Sequence, residues 1–365
     1  MSRIISIGTA VPAFGTDQNV IVDFMLSAYD NDVASRKLNI LFNQSGISTR
    51  YAVIPDFDKS RTEKKFYADT SNAPTVENRL TVFKEQAIPL AIEAIEESFK
   101  KINSTIDTFG ITHLITVSCT GIYAPGMGAE LIEKLNLPDD IFHTAVNFLG
   151  CNAAFHALKI ANLIAEADES AKVLIVCVEL CSLHFQPRNN HDNLLSNTIF
   201  GDGAAAVIIT SDAYAIKHQK KGLEINGFYS LLIHKGKNLM GWNITPINFE
   251  MILDAKIPEL ISNEVQSVIQ KACMKHNIAP ETINKWAIHP GGRKIIDVIK
   301  KRLELTDEDS RASYKVLNEY GNMSSPTILF VLNELMNENK EERKTIFSIG
   351  FAPGLSIETA LLTYA

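Results

Sequence analysis

The sequence predicts an α/β protein made of two similar halves, residues 1–211 and 212–365, with buried helices between sheets and no flexible linker. Three observations predict this. The run KVLIVCVE at 172–179 is continuously apolar between its charged ends, the pattern of a strand covered on both faces. The stretch 145–168 passes from a short apolar strand through Gly150 into a helix that is mostly Ala, Leu, Ile and Phe, too apolar for a surface position. The second half then repeats the order of helices and strands in the first. Each half closes on Thr-Ile-Phe and a glycine-containing turn, at Thr198 and at Thr345.

The elements follow in order. Residues 4–7 read as a strand ended by Gly8, 17–30 and 33–44 as helices, and 45–75 as a polar surface excursion with a helical turn. Apolar positions 80, 83, 87, 91, 92, 95 and 99 make one face of a helix over 79–102, with Pro89 placed to kink it. A buried strand at 111–119 leads through TGIYAPGMG into a helix at 129–135 and then to the 145–168 unit. After the strand at 172–179 a polar loop precedes 198–210, read as strand, glycine turn and strand. The second half gives a strand at 223–233, a helix at 257–276, and a strand at 285–289 that ends in Pro-Gly-Gly before another helix. A helix at 325–337 follows the turn Gly321–Asn322, and a strand pair fills 345–363.

Composition narrows the function. The 365 residues are 46% hydrophobic and 21% charged, an ordinary globular mixture. The net charge of −7 speaks against a nucleic-acid binder, and Lys64–Lys65 and Lys220–Lys221 are too sparse to reverse that. Five cysteines at 119, 151, 177, 181 and 273 are odd in number and widely spread. No second pair completes a zinc site around Cys177 and Cys181, so no metal is expected. The N-terminus lacks the apolar core of a signal peptide, and no window reaches the roughly 18 apolar residues of a membrane span. A soluble cytoplasmic protein with reduced thiols is the expectation.

Three residues carry candidate chemistry. Cys151 stands where the buried helix begins, and a helix N-terminus favours a thiolate. Most buried cysteines are simply small core residues, so that position alone does not decide. On the same helix Asn152, His156, Lys159, Asn162 and Glu166 form one narrow polar stripe. His289 ends a buried strand at Pro-Gly-Gly, and strand ends in α/β proteins face the ligand crevice. Asn322 lies between a glycine and a serine-rich helix start, where by itself it reads as a helix cap. Together, an imidazole can hold a thiolate, and His and Asn can both donate to a carbonyl oxygen. The paired Cys151 is then expected to react with iodoacetamide below neutral pH, its pKa well under the roughly 8.5 of a free thiol. Two enzyme classes use Cys, His and Asn in this order: papain-like cysteine hydrolases and thiolase-fold condensing enzymes. The local sequence around Cys151 lacks the CGSCW pattern of the former.

The motifs GCNA at 150–153, FGDGAAA at 200–206, HPGG at 289–292, YGNMSS at 320–325 and GFAPG at 350–354 come in one order. In them the chain resembles the type III polyketide synthases, the chalcone- and stilbene-synthase-like enzymes, and their bacterial branch most of all. The resemblance implies a thiolase-like fold in αβαβα layers with mixed sheets, a homodimer, and iterative decarboxylative condensation of malonyl-CoA onto an acyl-CoA starter. It implies Cys151 as the acyl carrier, His289 as its partner, and His289 with Asn322 as the enolate site. Phe200 matches the gatekeeper, Ser324 and Phe351 match cavity residues, and the loop at Pro353 shapes the cavity. No cofactor is implied beyond the CoA thioesters that serve as substrates. A fatty-acid-type ketoacyl synthase that condenses once is the alternative within the same fold.

Several positions depart from the plant pattern. Ala124 replaces a methionine that reaches into the partner's cavity, Cys119 replaces a cavity Thr, Ala352 a glycine, and Met251 a second gatekeeper Phe, with Phe249 nearby in a competing register. These exchanges favour an aliphatic starter; the resemblance implies cyclisation to a pyrone, resorcinol or related phenolic. Of the basic residues that meet CoA phosphates, Lys37 is matched and Arg50 lies close by, whereas Ile40 and Gln44 fall where cations are expected. Weaker CoA binding, or delivery of the starter on an acyl carrier protein, would follow.

Overall fold

The computed structural model describes residues 1–29, 32–58, 66–67, 73–338 and 343–365; Lys64–Lys65 lies outside them. The first half contains β1 (Ser2–Ala10), β2 (Phe14–Asp17), α1 (Gln18–Ala28), α2 (Asp32–Gln44), β3 (Thr49–Ala52), α3 (Val76–Lys101), α4 (Ile106–Phe109) and β4 (His113–Ser118). It continues with α5 (Met127–Lys134), β5 (Phe142–Asn147), α6 (Ala153–Ala167), β6 (Lys172–Leu180), α7 (His191–Ile199), β7 (Asp202–Ser211) and α8 (Asp212–Lys217). The second contains β8 (Leu223–Leu232), β9 (Met240–Ile244), β10 (Phe249–Leu253), α9 (Ile257–Lys275), β11 (Ile283–Ile288), α10 (Arg293–Leu303), α11 (Asp307–Tyr320), α12 (Thr327–Asn337), β12 (Thr345–Ala352) and β13 (Ser356–Tyr364).

Nine strands form one mixed sheet, ordered β11-β12-β13-β8-β1-β7-β6-β4-β5. The order contains the same pattern twice. β1 is antiparallel to β7, β7 to β6, and β6 is parallel to β4; β8 is antiparallel to β13, β13 to β12, and β12 is parallel to β11. The strands of the two halves are hydrogen-bonded to each other at their join. Each half leaves its first strand with a free edge, and those edges pair through Ser2–Ile225, Arg3–Glu224 and Ile4–Leu223, because unpaired backbone groups are costly to leave exposed.

Strand alternation distributes side chains to three cores. Leu174 and Val176 join α1, α3 and α5 on one side, whereas Val173, Ile175 and Cys177 face α6 and α12 on the other. That middle core also takes Ile225, Ile346 and Leu362 from the second half, and a third core packs α9 and α10 on Trp286, Ile288, Phe347 and Phe351. Helix, sheet, helix, sheet and helix thus alternate, as the family resemblance implied. Fully burying a Phe155 or Leu158 of α6 is worth roughly 1.5–3 kcal/mol each, so this apolar helix belongs in the centre.

Some expectations fail locally. Residues 198–199 end helix α7 and do not form a strand, because Asn190 caps that helix by accepting from the Asn193 N–H and Leu194 and Ile199 bury on its inner side. The Thr-Ile-Phe repeat consequently spans a helix end in one half and strand β12 in the other. α3 runs unbroken through Pro89. The hairpins β2–β3 and β9–β10, and helix α11, fall in stretches read as irregular or left unassigned.

Candidate active site

Cys151 sits in a single 3-10 turn, Gly150–Asn152, between β5 and α6. The turn needs Gly150 at φ +78°, since a Cβ there would lie 2.2 Å from Cδ of Pro353. The Gly150 N–H donates to Sγ of Cys119 at 3.0 Å. Two segments distant in sequence thus fix Cys151, which is 8% exposed. Burial pushes its thiol up to about 11; hydrogen bonds from Ser324 and Asn322 pull the other way, and the charge of Glu179 adds to the rise. Burial thus opposes the low thiol pKa expected from the helix N-terminus. Desolvation disfavours a lone buried thiolate.

His289 follows the last residue of β11, its backbone N–H donating to Ile349 O at 2.8 Å. The ring is 1% exposed, and burial pushes it down to about 3. Neither ring nitrogen has a hydrogen-bond partner among the described residues, so no hydrogen bond joins His289 to Cys151. Both residues line one cavity, however, together with Asn322.

Asn322 combines the two readings its sequence position allowed. Its Oδ1 accepts from Ser324 N–H at 2.8 Å and from Thr327 Oγ1 at 3.4 Å, a cap on the turn before α12. With Oδ1 occupied, the amide must turn Nδ2 the other way, toward Gly291 O at 3.4 Å and toward the Cys151 sulfur. A donor pair is left facing the cavity: the Asn322 amide and the one N–H of a neutral imidazole.

Beneath the site Glu179 is fully buried at the end of β6. It accepts from Cys119 N–H at 2.9 Å, Thr120 Oγ1 at 2.7 Å and Ser325 Oγ at 2.6 Å, tying the β4 loop of the first half to the Asn322 segment of the second. Burial raises its pKa. His184 closes the far wall. It stacks on Phe249 with ring centroids 4.5 Å apart and donates from Nε2 to Thr120 O at 2.7 Å.

Cys151, Phe200, Met240 and Met251 line two cavities at once, an outer one of about 280 Å³ and an inner one of about 60 Å³. Phe200 and Met251 therefore stand at a boundary, while Phe249 belongs to the inner space alone. Cys119, Ser324 and Pro353 also line the inner cavity, and Phe351 the outer. Ala124 is exposed and touches neither. Lys37 is exposed on α2, one turn before Leu41, which lines the outer cavity. Arg50 is the clear correction: it is 3% exposed and donates to the carbonyls of Asn197 and Phe200 at 2.8 and 2.7 Å. A side chain so enclosed cannot meet a phosphate in solvent. The cations that sequence reasoning missed are Arg293 and Lys294, exposed at the outer cavity; their place directly after Pro-Gly-Gly at a helix start was the available signal. Glu179 and His184 carried no comparable signal.

Among the described residues no group of three or more His, Cys, Asp or Glu side chains converges to hold a metal. None of the described helices is long and apolar enough to cross a membrane.

Comparison with known proteins places these features in a family. Residues 1–213 match the model of the chalcone and stilbene synthase N-terminal domain, and residues 229–364 that of the C-terminal domain. The chain is 28% identical to "Probable polyketide synthase 1" of Dictyostelium discoideum over 99% of its own length, but spans only 11% of that protein. It is 28% identical to "Alpha-pyrone synthesis polyketide synthase-like Pks18" of Mycobacterium tuberculosis, covering 97% of this chain and 89% of that one. Among solved structures, PKS-I from the brown alga Ectocarpus siliculosus superposes with a TM-score of 0.91 at 28% identity, covering 100% of this chain and 98% of that one.

Proposed function

Since the chain belongs to the chalcone and stilbene synthase family, the type III polyketide synthases, we propose that it extends an aliphatic acyl-CoA starter by repeated decarboxylative condensation with malonyl-CoA. The observation that carries this reading is the lining of one cavity by Cys151, His289 and Asn322, with the Asn322 amide turned so that its N–H faces inward.

In loading, the Cys151 thiol passes its proton to His289 and the sulfur attacks the starter's thioester carbonyl. The C–S bond to CoA breaks, and the imidazolium returns the proton to the CoA thiolate. Burial disfavours each charge singly, but the thiolate and imidazolium form together and attract strongly in a low dielectric. In the second step malonyl-CoA loses carbon dioxide. The electron pair of the broken C–C bond moves onto the thioester oxygen as an enolate, which accepts from Asn322 Nδ2–H and a His289 N–H. The enolate carbon then attacks the Cys151 thioester, the sulfur departs, and a β-ketoacyl-CoA two carbons longer is free to reload. Cyclisation of the extended chain gives a pyrone, resorcinol or related phenolic. The residues assigned to this route require no cofactor besides the CoA thioesters.

Arg293 and Lys294, with Lys37 across the opening, suit the CoA phosphates, which also fits delivery on an acyl carrier protein. A second copy of the chain suits β5, the sheet's edge strand. Phe142 on it is 67% exposed, and Ile122 and Leu149 in the flanking loops are 42% and 41% exposed. Ala124 lies on the same loop as Ile122 and would face that copy. Mass spectrometry of products from a panel of acyl-CoAs with labelled malonyl-CoA tests the proposal. Medium- and long-chain starters are expected to give higher kcat/KM than aromatic ones; no product from any starter would refute it.

A further inference from the structure

We infer that the buried pair Gln18 and Arg50 is a positioning device that sets both the gate residue Phe200 and the donor Asn322 against Cys151. The last carbonyls of a helix have no partner within it. At the end of α7 each of them finds one. Asn197 O accepts from Arg50 Nη1 at 2.8 Å and Thr198 O from Gln18 Nε2 at 2.9 Å. Ile199 O accepts from Asn322 N–H at 2.8 Å, and Phe200 O from Arg50 Nη1 at 2.7 Å. Arg50 Nε donates to Gln18 Oε1 at 2.8 Å, so the two side chains hold each other as well.

The same short segment carries the Asn322 strand. Gly201 N–H donates to Asn322 O at 3.0 Å, completing a bridge between Phe200 and Asn322. Gly321, at φ +71°, leaves room for this approach; a Cβ there would stand 2.8 Å from Ile199 O and 3.0 Å from Cγ of Arg50. The stem of Arg50 is thus the surface on which the turn before Asn322 is laid. Gln18 begins α1 directly after β2, and Arg50 lies on β3, which pairs with β2; the turn before β3 reaches α11 through Ser48 N–H to Asn318 O at 2.8 Å. A guanidinium buried without a direct carboxylate partner among the described residues is expensive to keep. Its fork supplies what an apolar residue could not, two carbonyls held at one helix end. The lost CoA-phosphate role of Arg50 is replaced by this one.

The inference rests on Asn322 as the enolate donor, and its test includes one readout that does not. The variants are Arg50→Met, Arg50→Lys and Gln18→Met. Hydrogen exchange of peptides spanning 199–203 and 319–325 should quicken at least about tenfold in Arg50→Met while β6 peptides keep their protection. Carbon dioxide release from malonyl-CoA should lose about 10- to 100-fold in kcat with KM unchanged, the scale expected of a donor displaced by about 1 Å. Acylation of Cys151, followed by intact mass, should stay within about threefold, because neither Gln18 nor Arg50 touches the nucleophile. Arg50→Lys, which keeps one cationic donor, should recover part of the loss, and Gln18→Met should shift in the same direction by less. Unchanged exchange at both peptides overturns the inference whatever the activity. So does an equal fall in acylation and decarboxylation, or a rise in KM for CoA thioesters with kcat intact. If exchange quickens locally but the wild type releases no carbon dioxide, the positioning stands and the assigned reaction fails.

Discussion

Replacing Asn322 by Asp separates its two structural roles. The substitution keeps Oδ1, and with it the hydrogen bonds from Ser324 N–H at 2.8 Å and Thr327 Oγ1 at 3.4 Å. It replaces the inward Nδ2–H with an acceptor oxygen that bears negative charge where an enolate would form. Asn322 is 1% exposed, so the new carboxylate is desolvated beside the Gly291 carbonyl, and Tm should fall although the hydrogen bonds of the turn survive. Catalysis should collapse. One oxyanion donor is worth roughly 2.7–4 kcal/mol, or about 10²–10³ in rate, and the added charge deepens that loss. Asn322→Ala removes donor and cap together. It should show a similar catalytic loss plus about 1–3 kcal/mol of stability, because the buried Ser324 N–H loses its acceptor. The assay is release of labelled carbon dioxide from carboxyl-labelled malonyl-CoA at pH 8, with Tm recorded for each variant and acylation of Cys151 as a control. If the Asp variant decarboxylates within about threefold of wild type, Asn322 is only a cap and the enolate site lies elsewhere.

Three further outcomes are expected. Cys151→Ala should form no acyl-enzyme and no polyketide yet still release carbon dioxide above the uncatalysed rate, since enolate stabilisation needs only the donors; complete loss of release counts against the division of labour. With its thiol pushed up to about 11, Cys151 should alkylate with iodoacetamide at a rate that climbs about tenfold per pH unit between pH 7 and 9. A plateau below pH 7 would mean that His289 holds it as a standing thiolate. His184 and His289, both buried and held down near about 3, bind protons in the unfolded chain near pH 6.5 but not in the folded one. Each should therefore cost about 1.4 kcal/mol of stability per pH unit as pH falls from 6 toward 3. The stability-against-pH curve of His184→Gln should be shallower there by one such slope, and an unchanged slope would sink the account.

Much of this architecture was legible. The strand–glycine–helix signal around Cys151, the apolar run of β6 and the Pro-Gly-Gly after His289 are local patterns, and local patterns survive in a linear sequence. What escaped depends on distant partners. Arg50 has the charge of a surface residue, and only the free carbonyls at the end of α7 explain its burial. α7 itself reads as a loop because its first turns are polar, and its helicity comes from the Asn190 cap and from packing behind Leu194. That the two halves share one sheet cannot be read from either half, since the joining edges belong to β1 and β8. The orientation of the Asn322 amide was hidden for the same reason: it is set by Thr327 and the Ser324 backbone after the chain has turned. For the Cys151 thiol the sequence shows both opposing influences, a helix start and a buried helix, but not their distances, so it cannot weigh one against the other.

The sheet order has a consequence for a chain still being synthesised. Cys151 leaves the ribosome with β5 and α6, long before β12 and β13 exist. Yet Pro353, which lies against its turn, follows β12, and among the described residues β13 joins β8 to the strands that lead to His289. Until β13 docks, Cys151 is without the Pro353 contact at its turn and without the second-half residues that share its cavity. The walls of the Cys151 cavity thus close only when both halves are joined, and a chain cut before β13 would carry that thiol without them.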